Sequence, residues 1–176
     1  MPQLEMTHND TATFLREATA EVFATMLDIQ VTPGEPFVED VLTSPRCGVV
    51  ALIGFAGTWI GTGITRCDAA TACDLYSRML MTPTSVIDKD VLDAFGEVAN
   101  MIVGNFKTSM EAVVGQMGMS IPTIFHGTDF TSSTLQAAGL VMPFTWDDRK
   151  LEVKICIMPK ERRQNLAHAR IGADRY

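Results

Sequence analysis

No stretch of this chain approaches the roughly 18 consecutive apolar residues that a membrane-spanning helix needs, so no such segment is expected. The first ten residues, MPQLEMTHND, have neither the basic start nor the apolar run of a secretory signal, and the chain is expected to stay in the cytoplasm. Its four cysteines, Cys47, Cys67, Cys73 and Cys156, show no Cys-x-x-Cys spacing and read as buried thiols rather than zinc ligands or a redox pair. Three dispersed histidines, His8, His126 and His168, offer no pair one helical turn apart, which excludes a zinc-binding helix. Neither a Gly-x-x-x-x-Gly-Lys-Ser/Thr loop nor a dinucleotide fingerprint is found, so the commonest nucleotide sites are excluded. No metal site is expected in the chain.

Positive charge is also scarce. Lys and Arg total 14 against 21 Asp and Glu, a net charge of −7, which disfavours binding to a phosphate backbone, and nucleic acid is not an expected partner. The last 18 residues run the other way, with five basic against two acidic side chains, or +3, so the first 158 carry −7 − 3 = −10. We therefore expect a single domain over residues 1–158 and a basic C-terminal tail over 159–176. With 47% apolar residues in a chain of 176, such a domain can bury a core without disulfides or metal.

Apolar residues at helical spacing from Asn9 or Asp10 through Ile29 predict a first helix, ended by Thr32-Pro33-Gly34. Residues 47–67, rich in β-branched side chains and broken at Ala56-Gly57, predict a hairpin. Asp68 suits the N-cap of a second helix reaching about Met81, and Ser85 or Asp88 opens a third that stops at Gly115. Residues 119–127, 139–146 and 151–159 read as strands, the last two joined at Asp147-Asp148. This order predicts an α+β domain, long helices packed on a largely antiparallel sheet.

The third helix carries the most information. Turning about 100° per residue, Leu92, Phe95, Ala99, Ile102, Val103 and Phe106 share one face, about 100° wide, that must meet the core. Measured from Leu92, Gly96 falls near about 40°, Asn100 near 80°, Asp93 near 100°, Gly104 near 120° and Glu97 near 140°. These residues form a separate stripe, on which Glu97 and Asn100, three apart, can reach the same external object. Glycine inside a helix costs roughly 1 kcal/mol relative to alanine, and two of them here suggest room for another molecule's backbone to come close. A carboxamide donates and accepts hydrogen bonds at any pH, which suits it to orient water, and a carboxylate can pair with a partner's lysine or arginine. With no nucleophile and no metal, the pair is poorly equipped to break a bond unaided, so the partner must complete the chemistry.

At these residues the chain resembles the CheC/CheX/FliY family of chemotaxis phosphatases, whose signature is Asp or Ser, three residues, Glu, two residues, Asn, then a proline a little over twenty residues on. Here Asp93, Glu97 and Asn100 match it, Pro122 stands at about the expected distance, and the context GEVANMIVGN is closer than the bare pattern requires. The resemblance extends over most of residues 10–158. The first helix lacks a second signature, since Ala20 and Ala24 stand three after Glu17 and Glu21, and a single site is similar to CheX-type members, which are homodimers joined through their sheets. The resemblance implies the CheC-like fold and hydrolysis of the aspartyl phosphate on a CheY-like receiver. Asn100 would orient the attacking water and Glu97 would pair with the receiver's lysine, while Asp93, Gly96 and Gly104 would face the partner. The Mg²⁺ would belong to the receiver, leaving this chain without a bound cofactor. A non-catalytic receiver-binding adaptor, similar to the flagellar switch proteins, is the alternative.

Overall fold

The structure, a computed structural model, describes residues 6–40, 42–43, 48–128, 131–132 and 138–162. The first helix, α1 (His8–Met26), starts at a capping box: Thr7 Oγ1 accepts from the Asp10 N–H, and the Asp10 carboxylate accepts from the Thr7 N–H. It ends three residues before Ile29 because Asp28 turns into the left-handed region (φ 53°), letting the Ile29 N–H reach the Phe23 carbonyl and its side chain the core. Short strands β1 (Thr32–Pro33), β2 (Phe37–Glu39) and β3 (Leu42–Thr43), absent from the sequence expectation, follow. The expected hairpin comes next as β4 (Gly48–Gly57) and β5 (Trp59–Asp68).

The two remaining helices begin at the expected caps. Asp68 accepts from the Thr71 N–H at the start of α2 (Ala69–Leu80), and Asp88 from the Val91 N–H at the start of α3 (Lys89–Val114). Helix α3 stops at Gly115, whose φ of 90° favours glycine. Strands β6 (Met117–Met119), β7 (Thr123–Gly127) and β8 (Thr131–Ser132) follow, then the hairpin of β9 (Gly139–Trp146) and β10 (Arg149–Pro159).

Among the described residues, all strand pairings are antiparallel. The main sheet runs β1-β9-β10-β5-β4-β6, with β2 continuing the β9 edge beside β1 and β7 continuing the β4 edge beside β6, while β3 and β8 form a separate pair. Helices cover one face, so the expected α+β architecture with a largely antiparallel sheet is found. The core between the layers includes Leu15, Val22, Phe23, Ile53, Phe55, Phe95, Ile102, Phe106, Met142 and Phe144, with Phe23 edge-on to Trp146 at 4.9 Å. Helix α3 lies directly over β5 where Gly63 removes bulk: a Cβ there would stand 2.9 Å from Val103 Cγ1. Helix α1 flanks α3, with Asn105 Nδ2 donating to Glu21 Oε2 across 3.2 Å. Cys67, Cys73 and Cys156 are free and buried as expected; Cys47 and the tail from residue 163 lie outside the described residues.

On the face away from the helices, the sheet buries charge. Arg66 and Lys154, on neighbouring strands, are both almost fully buried, and Glu39 of β2 bridges them with contacts of 3.0 and 3.1 Å. Arg66 Nε also reaches Glu152 at 2.7 Å. Burial pushes both carboxyl groups up, but the hydrogen bonds and charges of Arg66 with Lys154 at Glu39, and of Lys150 with Arg66 at Glu152, overcome it and hold both below the usual carboxylate range.

Candidate active site

Helix α3 is embedded more deeply than its 100° face predicts. Ala94 and Val98, on the side away from Leu92, are buried along with Val91, Phe95, Ala99, Ile102, Val103, Phe106 and Met110, because helices α1 and α2 pack on α3 beside the sheet. What remains open is a narrow strip. Asp93 and Glu97 are exposed, and Asn100 and Gly104 are half-buried at its border. Among the described residues, neither Glu97 nor Asn100 has a hydrogen-bond or ion-pair partner within the chain, so a carboxylate and a carboxamide one turn apart face solvent with their bonding capacity unused. Asp93 faces Lys89 at 3.9 Å, both highly exposed, which is a weak surface pair. Lys107, the other cation on this side, is instead tied to Glu111 at 2.9 Å. Lys107 and the Met117 N–H together hold the Glu111 carboxyl below its ordinary value and fasten the end of α3 to β6.

The two glycines differ from each other, and Gly96 departs from the partner-facing place expected of it. Gly96 is buried, and a Cβ on it would stand 3.3 Å from Ile124 Cδ1, so its missing side chain admits this chain's own β7 rather than a partner. Gly104 is half-buried, and the nearest atom to a Cβ there is Met119 Cε at 3.7 Å, an ordinary contact that leaves this side of the helix low and accessible.

Pro122 acquires a structural meaning that spacing could not supply. Phe55 pairs with Met119 and Leu52 pairs with Thr123, so two residues of β4, Ile53 and Gly54, stand opposite three of the edge strand, Ser120, Ile121 and Pro122. This is a β-bulge, and an edge-strand bulge tolerates the missing proline N–H. The extra residue changes the alternation, so that Met119 and Ile124, five apart, both point at α3. Asn100 lies midway between Gly104 and Gly96 on the helix, and the bulge midway between Met119 and Ile124 on the strand, which sets Asn100 and Pro122 at the same level. The residue next to Pro122, Ile121, went unnoticed in the sequence; it is 85% exposed.

Among the described residues, no three His, Cys, Asp or Glu side chains converge to hold a metal ion, and no helix is long and apolar enough to cross a membrane.

Comparison with solved structures finds the same fold repeatedly. The chemotaxis protein CheX from Desulfovibrio desulfuricans superposes with a TM-score of 0.75 at 26% identity, covering 85% of this chain and 99% of that one. The CheX–CheY–BeF₃–Mg²⁺ complex from Borrelia burgdorferi matches with a TM-score of 0.73 at 26% identity, over 87% of this chain and 99% of that one. FliY from Thermotoga maritima shares the fold at 16% identity, with a TM-score of 0.65 over 87% of this chain and 92% of that one. Comparison with curated proteins finds no match. The family described as chemotaxis phosphatase CheX matches residues 49–145, a span that holds all but the first residue of the hairpin β4-β5, all of α3 with its open strip, and the bulge at Pro122, and the chain belongs to that family.

Proposed function

We propose that this protein dephosphorylates a CheY-like response-regulator receiver by hydrolysing its aspartyl phosphate. The observation that carries the reading is the pair of unpartnered side chains, Glu97 and Asn100, on the open strip of an otherwise embedded helix. Family membership supports it, as does the relative whose complex contains CheY.

The Asn100 carboxamide enters the receiver's site and holds a water molecule in line with phosphorus, accepting one of its hydrogen bonds and donating another. The water oxygen forms the new P–O bond while the bond to the aspartate oxygen breaks, releasing inorganic phosphate and a carboxylate. Such catalysis is positioning, which phosphoryl transfer mainly requires. Glu97 pairs with the receiver's lysine and sets the docking register. Asp93 and Gly104 border the contact. The receiver brings its own Mg²⁺, which neutralises charge on the phosphoryl oxygens. The reaction belongs in the cytoplasm, and the protein works as a homodimer.

The test follows phosphate loss from a phosphorylated receiver with and without the protein. Asn100→Ala should abolish the acceleration while leaving docking largely intact, because it removes the holder of the water and little contact area. Glu97→Ala should weaken docking as well. Binding without acceleration by the unaltered protein would identify an adaptor and refute the phosphatase reading.

A further inference from the structure

The bulge that carries Pro122 also displays Ile121. A single exposed apolar residue needs no explanation by itself. Three features set this one apart. It is 85% exposed, well above Phe125 at 48%, the other exposed large apolar side chain of the edge segment, while Met119, Pro122 and Ile124 are half-buried. It is held rigidly on its N-terminal side: the Ser120 N–H donates to the Gly54 carbonyl at 2.9 Å, the Gly54 N–H donates to Ser120 Oγ at 2.9 Å, and that hydroxyl donates to the Ile121 carbonyl at 2.9 Å. On its C-terminal side the Pro122 ring restricts the backbone of Ile121 to extended conformations. Finally, the bulge stands level with Asn100, between the points where Gly104 meets Met119 and Gly96 meets Ile124.

We propose that Ile121 is an apolar docking contact for the receiver, seated beside its phosphorylation site when Asn100 enters it. This rests on the reading of the Glu97–Asn100 strip as the receiver-facing surface and extends that surface across the helix border onto the edge strand. The polar pair confers register and chemistry but little buried apolar area. A preformed isoleucine adds that area without the ordering cost of a flexible loop, because its backbone is already immobilised. The bulge thus aims one side chain outward while its flanks pack under α3, a re-aiming that bulges beside functional sites perform.

The experiment measures binding of the full chain to a CheY-type receiver whose aspartate is capped with beryllofluoride and Mg²⁺, so that it does not depend on hydrolysis. Ile121→Ser should weaken binding about tenfold, the loss expected when a side chain of this size is no longer buried. With the phosphorylated receiver, KM should rise while kcat stays within about twofold. The melting temperature should not change, because the side chain contributes little to the fold. Val38→Ser is the control: Val38 is 51% exposed on β2, five strand spacings or about 24 Å across the sheet. Unchanged affinity of Ile121→Ser, or an equal loss in Val38→Ser, overturns the proposal. So does a variant that binds the receiver normally but no longer self-associates in light scattering, since Ile121 would then face a second copy of this chain. Binding by the unaltered protein without accelerated hydrolysis would refute the phosphatase reading and leave the docking contact standing; failure to bind would refute both.

Discussion

Replacing Gly96 with alanine separates two explanations for a glycine in the middle of α3. If the missing side chain were there to admit a partner, a methyl group would obstruct docking and turnover would fall. The structure fills that space from within: a Cβ at Gly96 would stand 3.3 Å from Ile124 Cδ1, the free end of a side chain able to yield by a few tenths of an ångström. Alanine is favoured over glycine in a helix interior by about 1 kcal/mol. A modest displacement of Ile124 from its rotamer costs about 0.5 kcal/mol. The net expectation is a gain of roughly 0.5 kcal/mol, or a melting temperature raised by about 1–2 °C, since about 1 kcal/mol shifts a domain of this size by 2–4 °C. Thermal unfolding followed by circular dichroism measures the shift, and receiver dephosphorylation measures function, which should be unaltered. A folded Gly96→Ala protein with strongly reduced activity would refute the reasoning by showing that a partner needs the space, and a destabilisation above about 1 kcal/mol would refute it by showing that Ile124 does not yield.

Gly104, two turns on, should differ in function: Gly104→Ala meets only Met119 Cε at 3.7 Å, so it should also gain stability, by about 1 kcal/mol, but raise KM, in the same pair of assays. Gly63→Ala, by contrast, would place its Cβ 2.9 Å from the stiff, branched Val103 and should cost about 1–3 kcal/mol in chemical denaturation. Removing the α3 cap with Asp88→Ala should cost about 1 kcal/mol and increase amide exchange in the first turn, ahead of Asp93. Glu39 and Glu152 bear on acid stability: both carboxyl groups titrate below their ordinary 4.5 in the folded state, so the stability they add is complete above that value and is lost as pH falls through the lower folded value. Melting temperature should therefore drop on acidification below about pH 5, and Glu39→Gln should start lower at neutral pH and fall less steeply; an equally steep fall would show that other groups control the acid transition.

Some of this molecule was settled by local chemistry that the chain carries in order. Asp68 and Asp88 cap their helices because a short acidic side chain reaches the backbone N–H three residues on wherever the helix lies. The hairpins 48–68 and 139–159 follow from β-branched runs and turn residues, and the helical period alone sets Glu97 and Asn100 on one side of α3. Tertiary structure decided what lies beside that helix. The burial of Ala94 and Val98 required α1 and α2, which arrive from elsewhere in the chain, and the covering of Gly96 required Ile124 of an edge strand. Most clearly, residues 119–127 read as one continuous strand: Pro122 marks an edge or a bulge, but the bulge itself is a mismatch between two strands, three residues against two, that only their pairing reveals. The buried grouping of Glu39, Arg66, Glu152 and Lys154 was hidden for the same reason, since three strands far apart in sequence contribute to it. Periodicity specifies which side chains share a face; only packing specifies which of those faces stay open to another molecule.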